Sequence, residues 1–485
     1  MPAQAAGGWS NGQPADVVLG QADFNSSVPS TLSASVMNHA LGVAVDPTTG
    51  KVFVADGGDR ILRFTSAAAA VSGSTAEALL GQSNFTSGGS NGGSNGLWSP
   101  QQIVVDGGGR LWVADRDNNR VLRFDNASTK ATNANADAVL GQATFVTNAA
   151  NRGGNVAANT MSHPTGVWVD GQGALWVVDS DNNRVLGFGF PTLKANGAAA
   201  DIVFGQPDFT HNAIGATMAG MRAPYGVVVD GNNVMWVADS LNDRILRFDN
   251  VGLKNSGASA DGKLGSTGVA SASSLAGPEA VAVDDAGRLY VSDTQFNRIL
   301  IFNNAAGKAN GAPADNVLGQ VNFTSSAGAL GAAALFRPSG IVFDTVAKVL
   351  WSADYVNSRA LRFTPLGNIL DIDGSGNPSK YDALTDGLLV LRYLFGLTGP
   401  ALTAGAIGGT ATRTDPVTIK SYLDSIRPML DIDGNGTSDA LTDGLLVIRY
   451  LFGLHGAPLT SGAIGPNPTR GTAPQIEAYL QSLMP

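Results

Sequence analysis

Short apolar runs alternate with polar turns along the first three quarters of the chain, and one arrangement of them returns six times. LWVADRDNNRVLRF, from Leu111 to Phe124, consists of two runs of aliphatic, aromatic and β-branched residues around a polar turn, the pattern of a β-hairpin. Its counterparts are KVFVADGGDRILRF ending at Phe64, LWVVDSDNNRVLGF at Phe188, MWVADSLNDRILRF at Phe248, LYVSDTQFNRILIF at Phe302 and LWSADYVNSRALRF at Phe363. Before each hairpin runs a strand of the form GVxVD, ending at Asp46, Asp106, Asp170, Asp230, Asp284 and Asp344, and joined to it by tight turns such as Gly107 to Gly109. A fourth run, DVVLGQADF at Asp16, recurs at Glu77, Asp137, Asp201, in degraded form at Asp261, and at Asp315. Four strands in each repeat of about 60 residues predict the blades of a β-propeller around a central channel.

The last hairpin has no LGQ run after it. The stretch Asp16 to Phe24 is therefore predicted to complete the blade built from Gly340 to Phe363, joining the ends of the ring and hiding an open sheet edge. The hairpin aspartates (Asp56, Asp115, Asp179, Asp239, Asp293, Asp354) each precede an arginine (Arg60, Arg120, Arg184, Arg244, Arg298, Arg359). A charged pair repeated in every blade reads as a turn-fixing or inter-blade ion pair rather than as six active sites. Function is expected where the copies differ.

After Phe363 the periodicity changes. Thr364 to Asn368 reads as a linker, and LTDGLLVLRYLFGL from Leu384 and LTDGLLVIRYLFGL from Leu441 are helical; Leu388, Leu391, Tyr393, Leu394 and Phe395 predict one broad apolar face on a buried helix of about three turns. Each is followed by a second amphipathic segment, VTIKSYLDSI and PQIEAYLQSL. The reading is thus a propeller over residues 1–365 and a small, duplicated all-α region over 369–485, with units 369–428 and 429–485.

Each unit opens with a carboxylate-rich loop. Oxygen ligands at alternating positions, with glycine at the sixth, suit a hard cation of calcium's size. In the second loop Asp431, Asp433, Asn435, Thr437 and Asp439 take positions one to nine, and Asp443 falls at thirteen where an EF-hand has its acidic ligand at twelve. In the first loop Asp371, Asp373, Ser375 and Asn377 open the pattern, and an insertion moves Asp382 and Asp386 later. Ca2+ is the expected cofactor, with helix capping by the same aspartates as the bland alternative.

A net charge of −9 gives no basic footprint for nucleic acid, and no apolar run reaches the length of a membrane helix. The absence of cysteine excludes disulfides, thiolate catalysis and zinc–cysteine sites. Only Glu77, Glu279 and Glu477 are glutamates, so the remaining carboxylates are Asp and read as architectural. MPAQAAGGWS carries no secretion signal pattern, so the chain is read as unexported or as having lost its signal.

The pattern GVxVDxxGxLWVADxxNNRVLRF resembles the NHL repeat, and six copies resemble the six-bladed NHL propellers. The paired calcium loops and apolar helices resemble the dockerin domain of bacterial extracellular proteins, departing from it in the shifted acidic ligand, the insertion and the extra helix of each unit. That resemblance implies an exported, bacterial cell-surface or extracellular protein with a cohesin-like or cell-surface partner. Some six-bladed propellers of the lyase and lactonase type hold metals at the channel mouth, which directs attention to the residues ahead of each innermost strand. Here these are His39, Ser99 and Gln101, His163 and Thr165, Arg222 and Tyr225, Glu279, and Arg337 with Ser339. His39 and His163 occupy matching positions, a weak zinc signal without a third histidine. Neither paired glycosidase carboxylates nor GxSxG, phosphate-loop or HExxH motifs occur. The expected function is binding, with the propeller as a platform for a protein or glycan and the C-terminal module for attachment. A metal-dependent lyase or lactonase and a structural subunit of an extracellular layer are the alternatives.

Overall fold

The computed structural model describes residues 8–27, 31–365, 369–375 and 380–484. Six four-stranded antiparallel sheets carry the repeats, and five of them are consecutive in the chain. In the second, Pro100–Val105, Leu111–Asp115, Arg120–Phe124 and Ala138–Leu140 follow one another as a meander. The sixth is made differently. Pro338–Asp344, Val349–Asp354 and Arg359–Phe363 are joined by Val17–Leu19 from the start of the chain, with Val18 opposite Leu361. The first strand of the sixth sheet also touches the first strand of the first, so the six innermost strands close a ring around one axis.

Period-two patterning explains how the sheets stack. Along Lys51–Asp56, Val52 and Val54 pack with Val349, Trp351 and Ala353 of the sixth blade, whereas Phe53 and Ala55 pack with Ile103, Val113 and Leu122 of the second. The second strand of each blade is buried on both faces, and this is why the repeats read as nearly continuous apolar runs. At the axis the strands approach closely enough that a Cβ on Gly42 would collide with the Gln101 carbonyl and one on Gly226 with the Glu279 carbonyl.

The hairpin Asp–Arg pairs are structural. Their N···O distances run from 2.6 to 2.9 Å in the six blades, and Asp115 and Arg120 are both 0% exposed. The second carboxylate oxygen of Asp115 accepts the Trp98 N–H at 2.7 Å, and Arg120 also donates to the carbonyls of Phe145, Gly93 and Gly96. One pair thus ties the hairpin, the loop entering the innermost strand and the end of the LGQ run. Where the run is degraded, after Asp261, the corresponding Phe is missing, and Arg244 donates instead to Ala216.

Val17–Phe363 forms one compact unit, and a second comprises Thr364 onward together with the described residues up to Asp16. Gln13 donates to the Thr364 carbonyl at 2.6 Å and Thr364 to Asp16 at 2.6 Å, so these residues group with the second unit rather than with the ring, where the sequence reading had them. The second unit is a set of short helices. Leu388–Leu394 and Leu445–Leu451 are each preceded by one wide turn, Ala383–Gly387 and Ala440–Gly444, and Pro416–Ile426 and Ala473–Ser482 are the longer helices. Both halves share one core, where Leu389, Val390, Leu446 and Val447 meet Ile419, Leu423, Ile476 and Leu480. The buried face matches the expected one only in part: Tyr393 is buried and Leu388 and Leu394 pack against the core, but Leu389 and Val390 are fully buried and Phe395 is 55% exposed.

Candidate functional site

The residue that enters each innermost strand has a positive φ in all six blades: His39, Ser99, His163, Ala223, Gly277 and Arg337, between 43° and 56°. A side chain at the hairpin turn of the preceding blade holds each of these backbones. Asp59, Asn119, Asn183, Asp243 and Asn297 accept the N–H of Ser99, His163, Ala223, Gly277 and Arg337 at 2.6–2.8 Å, and Ser358 accepts that of His39 at 3.1 Å, across the ring closure. These turn residues are themselves left-handed, a conformation that Asn and Asp tolerate well. With the backbone fixed from the preceding blade, the side chains at the mouth are free to vary.

They do vary, and the variation encloses a cavity of about 530 Å³ at the channel mouth. His39, Gln101, Tyr225, Glu279 and Arg337 line it together. His163 does not; its ring lies between Asp181, 2.6 Å from Nδ1, and Asp117, 3.7 Å from Nε2. No metal-binding group of three His, Cys, Asp or Glu occurs at the mouth among the described residues. Arg116, Thr294 and Tyr355, which also line the cavity, escaped the sequence reading. Each immediately follows a hairpin Asp, where the other blades have Gly57, Ser180 and Ser240, so blade-to-blade difference at that position is the signal that would have found them.

The floor of the cavity is built from crossing bonds. The Tyr225 hydroxyl donates to Gln101 Oε1 from two blades away, and Gln102 Nε2 reaches the Glu279 carbonyl of the opposite blade at 3.1 Å. Below them Val43, Ile103, Val167, Val227, Val281 and Ile341 leave only about 20 Å³ of space, so the channel is closed and the cavity opens on one face. Thr165, Ser339 and Thr294 donate to main-chain carbonyls of the next blade.

Burial pushes the Glu279 carboxyl up to about 7, against the lowering effect of nearby Arg337. Burial first, and then the Glu279 charge, lift the Tyr225 phenol well above its ordinary range. Among the described residues, neither the Glu279 carboxyl nor the Arg337 guanidinium has a side-chain hydrogen bond or ion pair, whereas Arg116 is paired to Asp117 at 2.7 Å. The His39 and Tyr355 rings lie against each other at a tilt of 36°, with centroids 4.7 Å apart. A carboxyl that titrates near neutrality can both donate and accept, and a free guanidinium beside it recognises an anion.

In the second unit the structure gathers Asp371, Asp373 and Asp386, and separately Asp431, Asp433 and Asp443, each set with ligand oxygens within 4.8 Å of one another. Asp443 reaches the cluster although it lies at the thirteenth position. The wide turn closes on a hydrogen bond from Gly444 N to Asp439 O at 3.0 Å, five residues back, which absorbs the extra residue and turns Asp443 inward; Gly387 N to Asp382 O at 3.1 Å does the same for Asp386. Asp382 and Asp439 instead cap the turns, accepting Leu384 N at 2.7 Å and Leu441 N at 2.9 Å, so for these two the capping reading describes the geometry. Asn435 accepts the Thr437 N–H at 2.8 Å, Thr437 is exposed, Ser375 is buried and donates its N–H to Asp371 at 2.9 Å, and Asn377 lies outside the described residues. Arg413 and Arg470 lie 4.1 and 4.0 Å over Tyr422 and Tyr479 and donate to the loop carbonyls of Ile372 and Ile432, not to the carboxylates. Asp373, Asp386, Asp433 and Asp443, all 0% exposed, have no ion pair among the described residues. Buried carboxylates crowded without a cationic side chain are a donor set that fits a hard cation.

Residues 97–124 match the NHL repeat and residues 266–295 match the N-terminal region described as strictosidine synthase-like. No curated protein matches the sequence. Among solved structures, similar ones include a streptogramin B lyase at 12% identity and a TM-score of 0.38, with 70% of this chain and 95% of that one covered. Another is a structural genomics protein of unknown function from Bacteroides thetaiotaomicron, at 15% identity and a TM-score of 0.44, covering 73% and 76%. A third is the virginiamycin B lyase of Staphylococcus aureus, at 13% identity and a TM-score of 0.39, covering 67% and 95%.

Proposed function

We propose that this protein is a calcium-binding interaction protein of the extracellular space or cell surface, whose propeller captures a polar group of a protein or glycan partner in the cavity at the channel mouth. The observation that carries the reading is the cavity itself: six blades alike in their strands and ion pairs differ at Gln101, Tyr225, Glu279, Arg337, Arg116 and Tyr355, which converge on one enclosed space. The two aspartate clusters of the C-terminal unit would hold Ca2+ through Asp371, Asp373 and Asp386 and through Asp431, Asp433 and Asp443. There the cation would neutralise Asp373, Asp386, Asp433 and Asp443, which have no ion pair among the described residues, and so support a dockerin-like module for attachment.

Binding of soluble glycans and peptides to the full chain, compared with a Gln101→Ala/Tyr225→Phe variant, tests the propeller half. Loss of binding in a variant that melts like the parent is expected; unchanged binding would move the partner to another surface. An enzyme reading stands second, favoured by one observation: the Glu279 carboxyl faces the cavity and titrates near neutrality. Turnover abolished by Glu279→Gln would establish it in place of binding alone.

A further inference from the structure

We propose that the ligand of this cavity is an acidic sugar, a hydroxylated ring bearing one carboxylate, with the carboxylate on Arg337 and a ring hydroxyl on Glu279. The inference rests on the binding reading above and names the chemistry of its ligand. Arg337 and Glu279 come from adjacent blades and face the same space, yet they make no ion pair with each other or with any other side chain among the described residues. Two opposite charges that line one cavity without meeting leave room for a molecule that satisfies both. An anion answers the guanidinium fork, and a hydroxyl hydrogen answers the carboxyl group.

The remaining walls narrow the choice. Arg116 is already engaged by Asp117, so Arg337 is the one cavity guanidinium without a carboxylate partner among the described residues, enough for a single carboxylate. A doubly charged phosphate would also face Glu279 and Asp59, both on the cavity wall. Gln101 and the Tyr225 hydroxyl, bonded to each other, add polar wall, and the tilted His39 and Tyr355 rings add aromatic surface for the apolar side of a sugar ring. The closed floor restricts entry to one side, so a chain terminus or a free acidic sugar fits better than an internal unit of a long polymer.

Titration of the full chain with galacturonate and glucuronate, their methyl esters, and galactose and glucose, followed calorimetrically and by saturation-transfer NMR, tests the assignment. At least one acid is expected to bind at least tenfold more tightly than its ester and its neutral parent. Arg337→Gln should erase that preference, Arg337→Lys should retain part of it, and Glu279→Gln should weaken acid and ester alike; melting curves confirm that each variant is folded. Equal affinity for acid and ester, or a preference that survives Arg337→Gln, overturns the proposal. If only amines or neutral fragments from a general panel contact Tyr225 and Tyr355, the acidic-sugar assignment falls while cavity binding stands; if nothing in the panel does so, both fall.

Discussion

At the residue scale, the same charge types do different work according to what surrounds them. Asp115 and Arg120 satisfy each other in a dry blade, whereas Glu279 faces a cavity with no hydrogen-bonded or ion-paired side chain on its carboxyl among the described residues. Removing one member of a buried pair strands the other, so Arg120→Met should cost about 3–5 kcal/mol in urea unfolding, while replacing Asp115 and Arg120 together by apolar residues should recover most of that loss. For Glu279 the sign is the reverse of the usual carboxylate case. Its pKa rises from 4.5 to about 7 on folding, so its contribution is full below about 4.5, falls as the pH climbs to about 7, and is level above. Glu279→Gln is therefore expected to leave stability near pH 4 unchanged and to raise it near pH 8 by roughly 1–3 kcal/mol, read from paired urea titrations.

At the element scale, the strand Val17–Leu19 is the piece whose place depends on the whole chain. Val17, Val18 and Leu19 are at most 3% exposed, Phe24 O accepts from Arg359, and Gln21 donates to Ser358 O at 3.1 Å. Deleting residues through Phe24 strips that edge. At about 2–4 °C per kcal/mol, it should lower the melting temperature of the ring by roughly 10 °C or more. An unmoved melting curve would show that the edge is closed by other means. The wide turns are the counterpart in the second unit. One extra residue, which on a regular helix would aim Asp443 away from Asp431 and Asp433, is taken up by a hydrogen bond spanning five residues.

For the whole molecule, two compact units with separate cores imply separable unfolding. With calcium at about a hundred times its dissociation constant, linkage adds about 2.7 kcal/mol to the unit that binds it. Calorimetry with and without chelator is thus expected to move the transition of the C-terminal unit and leave that of the ring in place. Asp433→Asn with Asp443→Asn should abolish part of that movement; two transitions indifferent to chelator would remove calcium from the account.

The six-fold repeat was legible in the sequence because strand patterning, hairpin turns and the Asp–Arg pair are local and return in register, and the closing role of Asp16 to Phe24 followed from counting strands. Which mouth residues meet is a different kind of fact. Arg116 and Tyr355 lie on hairpin turns that look like the solvent-facing ends of strands, and only the closed ring brings Arg116 of the second blade and Tyr355 of the sixth to the same cavity as Glu279 of the fifth. His163 and His39, alike in sequence, part company because Asp181 and Asp117 engage one of them and the cavity takes the other. Local periodicity fixes strands and helices through short-range sterics and burial; the meeting of side chains from five blades depends on distances that exist only once the ring has closed.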